Sequence, residues 1–180
     1  MNSKKIKPIL IITPLIILFF YFFTALYSFH QFHKGIYYND KKLIKDYVEW
    51  DELRENFKNY INIQLLKETK KDDDFKELGD LGLLFTGLAG KLVESLVDTY
   101  LNPEGLSMLI EKSEKKDEIP KPTIITLLGS FTIMDFNGHS SFYITYENEG
   151  QEFPIFFNRK GLTWKITQIE FPENLLDSLK

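Results

Sequence analysis

The sequence predicts an α+β protein: an N-terminal transmembrane helix, then three to four helices packed on a four-stranded antiparallel β-meander. Three observations carry this. No charged residue occurs from Pro8 to Phe29. Between residues 33 and 112 apolar side chains recur at three- and four-residue spacing, the period of helices. Beyond residue 123 the segments become β-rich and are parted by Asn137-Gly138, Glu149-Gly150 and Lys160-Gly161, polar-glycine pairs that signal hairpin turns.

The uncharged run comes first. Its 22 residues would span about 33 Å as a helix, against a hydrocarbon core of about 30 Å. Pro8 suits a first helical turn, and membrane helices tolerate Pro14. A cleavable signal peptide is the rival reading. The run is longer than the usual ~7 to 15 apolar residues of such peptides, and no small-x-small cleavage site follows it. A retained anchor is therefore expected, with Tyr21, Tyr27 and Phe29 towards the far interface. Lys4, Lys5 and Lys7 mark the leader as cytoplasmic, although Lys34, Lys41, Lys42 and Lys45 beyond the run reduce the charge bias. The expected organisation is a cytoplasmic leader over 1–7, an anchor over 8–29 in the inner (cytoplasmic) membrane, and a single periplasmic domain over 30–180. Within that domain the helical part covers about 33–112, a linker 113–123, and the sheet about 127–172.

Helical spacing after the anchor breaks at Asn39-Asp40, so Asp40 is expected to cap a short helix. Asp51 can cap a longer one, whose apolar face runs Leu53, Phe57, Tyr60, Ile61 and Leu65. The stretch Ile36–Lys58, dense in acids, lysines and aromatics, thus reads as a pair of helix starts. Residues 67–80 form a charged connection; Asp72, Asp73 and Asp74 lack the alternating spacing and terminal glutamate of a calcium loop. The next helix is marked by Leu88, Leu92, Leu96 and Tyr100. Gly82, Gly87 and Gly90 each cost about 1 kcal/mol of helix propensity relative to alanine, which close packing would explain. Asn102-Pro103-Glu104 then reads as cap, first-turn proline and first-turn acid.

Alternation puts Phe142, Ile144 and Tyr146, then Phe153, Ile155 and Phe157, then Trp164 and Ile166 on one face of the sheet. Phe131, Ile133, Tyr143, Phe156, Ile169 and Phe171 fall on the other, so both faces are expected to be partly covered.

Composition narrows the function classes. Beyond the anchor, 19 of the 22 basic residues face all 26 acids, a balance of −7, which fits a nucleic-acid partner poorly. Only Arg54 and Arg159 supply guanidinium groups for bidentate phosphate recognition. The absence of cysteine excludes thiolate nucleophiles, zinc-thiolate sites and disulfides. His30 and His33 stand three apart but lack an acidic residue in the adjacent turn to complete a metal site, and His139 falls at a turn. No cofactor, metal or phosphate-loop motif occurs, nor a nucleophile elbow.

Three stretches, "NDKKLIKDYVEWDELRENFKNYINIQL", "LVDTYLNPEGLSMLI" and "RKGLTWKITQIEFP", taken with the preceding apolar run, resemble the bacterial family known as domain of unknown function 2939. Where that family tends to have Val-Asp-aromatic-Pro, this chain has Val48-Glu49-Trp50-Asp51. The resemblance implies a membrane-anchored protein and brings no catalytic residues. The element order also resembles the cone-shaped NTF2-like folds, which implies helices on a curved sheet and no particular function.

Three functional readings follow in order. The first is a non-catalytic binding or scaffolding domain held at the membrane, its partner an apolar small molecule in a cup between helices and sheet, or another envelope protein. The second is an enzyme using that cup, with Asp135 or Arg159 as the candidate acid–base groups and Tyr143 and Tyr146 near them. The third is a membrane-surface protein resting its apolar helix at 81–90 on lipid.

Overall fold

The computed structural model describes residues 3–71, 80–113, 119–148 and 150–172; Asp72, Asp73 and Asp74 lie outside these, and so do the side chains of Gly82's neighbours and of Phe131. Helix α1 runs unbroken over Ser3–Tyr38. It ends where Asn39 enters left-handed backbone at φ 53°, which asparagine tolerates at a helix C-terminus. The Asp40 carboxylate then accepts from the amides of Lys42 and Leu43 at 2.9 and 3.2 Å and starts α2, Lys41–Asp46, as its position in the sequence predicts.

Helix α3, Trp50–Lys71, begins ahead of Asp51, so the expected cap there is corrected. Val48 forms a parallel bridge to Ile166 of strand β4, pinned from either side: Ile166 N donates to Tyr47 O at 3.0 Å and Glu49 N to Ile166 O at 2.8 Å. That pairing ends at Glu49 and fixes the helix start, overriding the preference for aspartate as a cap. The Glu49 carboxylate turns instead to Lys165 Nζ at 3.1 Å.

Helix α4, Asp80–Tyr100, lies antiparallel to α3. Lys58 meets Asp98 at 2.7 Å, and Arg54 donates to Leu101 O at 3.2 Å. Leu88, Leu92, Leu96 and Tyr100, which mark this helix in the sequence, face solvent, and Val97 is buried. Gly90 packs near Asn62 while Gly87 faces open space, so close packing explains only the former. Asn102 caps α5, Pro103–Lys112, by accepting from Gly105 N at 2.8 Å. Gly105 must be glycine, because a side chain there would run into the Tyr100 backbone.

The sheet begins later than residue 127. Residues 124–130 form helix α6, Ile124–Ser130, followed by a 3₁₀ turn over Phe131–Ile133. Four antiparallel strands then pair in chain order: β1 Met134–Phe136, β2 Ser141–Asn148, β3 Gln151–Lys160 and β4 Thr163–Ile169. The expected core face is formed: Phe142 stands opposite Phe157, Ile144 opposite Ile155, and Phe157 opposite Ile166. Ile169 and Phe171 are on this face as well, contrary to strict alternation. Register passes from Phe157↔Ile166 to Phe156↔Gln168, leaving Thr167 as an extra residue. Such a bulge inverts every later side chain. Thr167 is buried, with its hydroxyl accepting from Asn158 Nδ2 at 2.9 Å and its carbonyl from Asn56 Nδ2 at 3.0 Å. Phe171 consequently meets Phe57, Tyr60 and Phe153, at ring separations of 5.2, 5.3 and 6.2 Å.

By length and composition the Ile12–Tyr38 stretch of α1 is apolar enough to cross a membrane, a property that a signal sequence would share. Its packing divides it at Tyr21. Every residue from Ile12 to Phe20 is exposed. From Tyr21 onwards one side of the helix is core: Ala25, Ser28 and Phe29 are buried, with Tyr21, Leu26 and Phe32 packed beside them. Tyr21 and Phe29, expected near an interface, therefore rest on the sheet, while Tyr27 on the opposite side is exposed. The small Ala25 and Ser28 let the helix backbone approach Trp164, which is fully buried and central to the cluster with Phe142 and Phe157. Ser28 Oγ accepts from Trp164 N at 3.0 Å, and Thr24 Oγ1 from the indole Nε1 at 3.1 Å. Ser28 thereby satisfies the outward amide next to the one that Tyr47 satisfies, so this edge of the sheet is closed by α1 and by residues 47–49.

Candidate functional site

An open apolar cup of about 710 Å³ lies between α1, α6 and β2, within the range of small-molecule sites. One wall is Phe29, Phe32, His33 and Ile36 of α1, spaced at three and four residues on the turn beyond the Trp164 contact. The floor is Ile144 to Tyr146 of β2. The opposite wall is Thr126, Gly129 and Ser130 of α6, with Ile133 from the 3₁₀ turn; Ser113, Ile119 and Pro120 complete the rim.

Residues 127–130 of helix α6 fall in the range that sequence patterning assigns to the sheet. Its start is locally encoded: Thr126 N donates to Thr123 Oγ1 at 3.2 Å, and Thr123 N to Thr126 Oγ1 at 2.7 Å. This reciprocal arrangement works as a capping box does. The signal was Pro122-Thr123 ahead of an apolar run, a helix start that the β-branched Ile124, Ile125 and Thr126 obscured.

Among the described residues, none that lines the cup is charged. The hydroxyls of Thr126 and Ser130 already donate to the carbonyls of Thr123 and Thr126, at 2.9 and 2.7 Å. His33 is the strongest polar group. Burial lowers its pKa below the usual histidine value, partly opposed by a hydrogen bond to the Pro120 backbone, so the ring is neutral at pH 7. The described lining thus favours binding by shape and apolar contact.

The sequence-derived candidates fall elsewhere and are not brought together. Asp135 is exposed on β1, opposite Tyr143 on the sheet face away from the core. Arg159 stands on the core face at the β3–β4 hairpin, its guanidinium 5.6 Å from the Tyr21 ring centroid and its Nε donating to Gly161 O at 2.9 Å. Tyr146 alone of the four lines the cup. His30 lies on α1 beside the cup and His139 is exposed at the β1–β2 turn; among the described residues no three metal-ligating side chains cluster. Within 36–58, Glu49 pairs with Lys165, Glu52 with Lys160 and Lys58 with Asp98 between elements, and Asp51 pairs with Arg54 inside α3. Partly exposed pairs of this kind contribute about 0 to 1 kcal/mol each.

Fold and site together define a helix-on-sheet α+β domain built around an N-terminal apolar helix and holding an open apolar cup. The chain belongs to the family described as Protein of unknown function (DUF2939), whose model matches residues 15–109. The matched region runs from α1 into α5 and so includes the α1 wall of the cup but not α6 or the sheet. No curated protein and no solved structure matches the chain.

Proposed function

We propose that this protein is a non-catalytic binding domain held at the inner membrane by α1, with its N-terminus cytoplasmic, its folded domain in the periplasm, and the apolar cup as the seat of its ligand. The cup is the observation that carries the reading: its volume suits a small apolar molecule, and the hydroxyls on its α6 wall are already bonded to backbone. Three lysines ahead of the apolar run support the orientation.

The test fills the cup. Gly129 lines it, and a Cβ there meets nothing within 4 Å, so Gly129→Phe occupies the space without backbone strain. The full chain in lipid nanodiscs should bind cis-parinaric acid above the empty-disc background, and Gly129→Phe should abolish that excess while keeping the unfolding midpoint. Equal binding by both proteins would sink the cup as the seat.

A scaffolding role has its own support in the exposed series Leu88, Leu92, Leu96 and Tyr100 on α4. Apolar stripes of this kind mark contact surfaces for partner proteins. The same helix is poorly placed to rest on lipid. Helix α3 runs in the sense of β4, with Glu52 bonded to Lys160, Asn56 to Thr167 and Tyr60 to Pro172. Leu88 lies near the distal part of α3, remote from the hairpin end where α1 enters the domain.

A further inference from the structure

We propose that the hairpin end of the sheet is a bilayer-contact surface, so that the domain sits directly on lipid with no stalk between membrane and fold. The proposal rests on the reading of α1 as a membrane anchor and adds where the domain lies relative to it.

Length decides the matter. The apolar run begins at Pro8, and the fold grips the helix from Tyr21. The intervening 13 residues rise about 20 Å, short of a hydrocarbon core of about 30 Å. The remainder must come from the gripped part of α1. On its side away from the sheet that part presents Phe23 and Tyr27, both exposed and aromatic, the side-chain type favoured at a membrane interface.

The sheet elements level with Tyr21 are then pressed to the same interface. Tyr21 lies 5.4 Å from Trp164 and 6.3 Å from Phe136 in ring separation, and Arg159 lies over its ring. Trp164 and Arg159 flank the β3–β4 turn, where Gly161 takes φ 67° and turns Leu162 outward at 78% exposure. The β1–β2 turn is bound to this hairpin through Arg159 N donating to Ser140 O at 2.8 Å. One end of the domain thus carries an outward leucine and a guanidinium beside an emerging apolar helix, a combination suited to acyl chains and headgroups respectively.

The absence of cysteine from the chain permits single-site nitroxide labelling. The full chain carrying Ile16→Cys, Leu162→Cys or Tyr146→Cys would be reconstituted in phosphatidylethanolamine–phosphatidylglycerol vesicles, and collision rates with oxygen and with a water-soluble nickel chelate measured. The expected result is hydrocarbon depth for the label at 16, free aqueous access at 146, and nickel access at 162 several-fold below that at 146. Equal nickel access at 162 and 146, with 16 still in hydrocarbon, would overturn the seating and leave the anchor standing. Aqueous access at 16 would overturn both.

Discussion

Substituting Ala25 by leucine separates two roles that the sequence of α1 confounds. In a helix surrounded by lipid, the change adds apolar surface and is neutral or favourable. In the structure Ala25 is fully buried in the cluster that contains Trp164, Phe142 and Phe157. Leucine must place three further carbons in a contact with no free space. Overpacking of this sort costs about 1 to 3 kcal/mol. At about 1.4 kcal/mol per tenfold, the folded-to-unfolded ratio falls by roughly 5- to 150-fold. Urea unfolding of the full chain in nanodiscs, followed by near-ultraviolet circular dichroism of the buried tryptophan, gives the measurement. A lower midpoint at unchanged slope is expected. Phe20→Leu, at an exposed position just before that boundary, is the control and should leave the midpoint in place. If Ala25→Leu unfolds as the parent does, α1 is not the core helix of the domain and the boundary drawn at Tyr21 is wrong.

Two further outcomes are expected. Ser28→Ala removes the acceptor for the Trp164 amide and leaves a buried donor unmade, so stability should fall by about 1 to 3 kcal/mol, while Ser28→Thr, which keeps the oxygen, should lose less. For pH, His33 has a folded pKa below its unfolded value because burial penalises the charged ring. The unfolded chain therefore binds more protons just below the ordinary histidine pKa, and stability should be full above that value and decline as pH falls through it. His33→Phe should flatten this slope in chemical unfolding at pH 5 to 7; an unchanged slope would assign the dependence to other groups.

Local chemistry made much of this fold legible. Asp40 and Asn102 cap the helices expected of them, because a side-chain oxygen bonding amides two or three residues on needs no tertiary partner. The first face of the sheet follows from alternation and glycine turns. Two differences arose where distant residues set the local outcome. Glu49 precedes α3 because β4 pins Tyr47 and Glu49 through Ile166, and Ile169 and Phe171 change face because Asn56 and Asn158 stabilise a bulge at Thr167. The α6 wall of the cup differs for a local reason: the sheet is expected from about residue 127, while Thr123 and Thr126 bond one another and start a helix that runs to Ser130.

The sequence by itself determined that an uncharged apolar helix opens the chain, and no later folding could alter its length or its lack of charge. Only the tertiary structure decided how much of that helix belongs to the domain. Residues such as Tyr21, Ala25, Ser28 and Phe29 suit lipid and protein core almost equally, since hydropathy measures withdrawal from water and not what replaces it. Trp164, more than a hundred residues later in the chain, packs against them and donates to Ser28 and Thr24, and that contact makes the second half of an apparent anchor the centre of the fold.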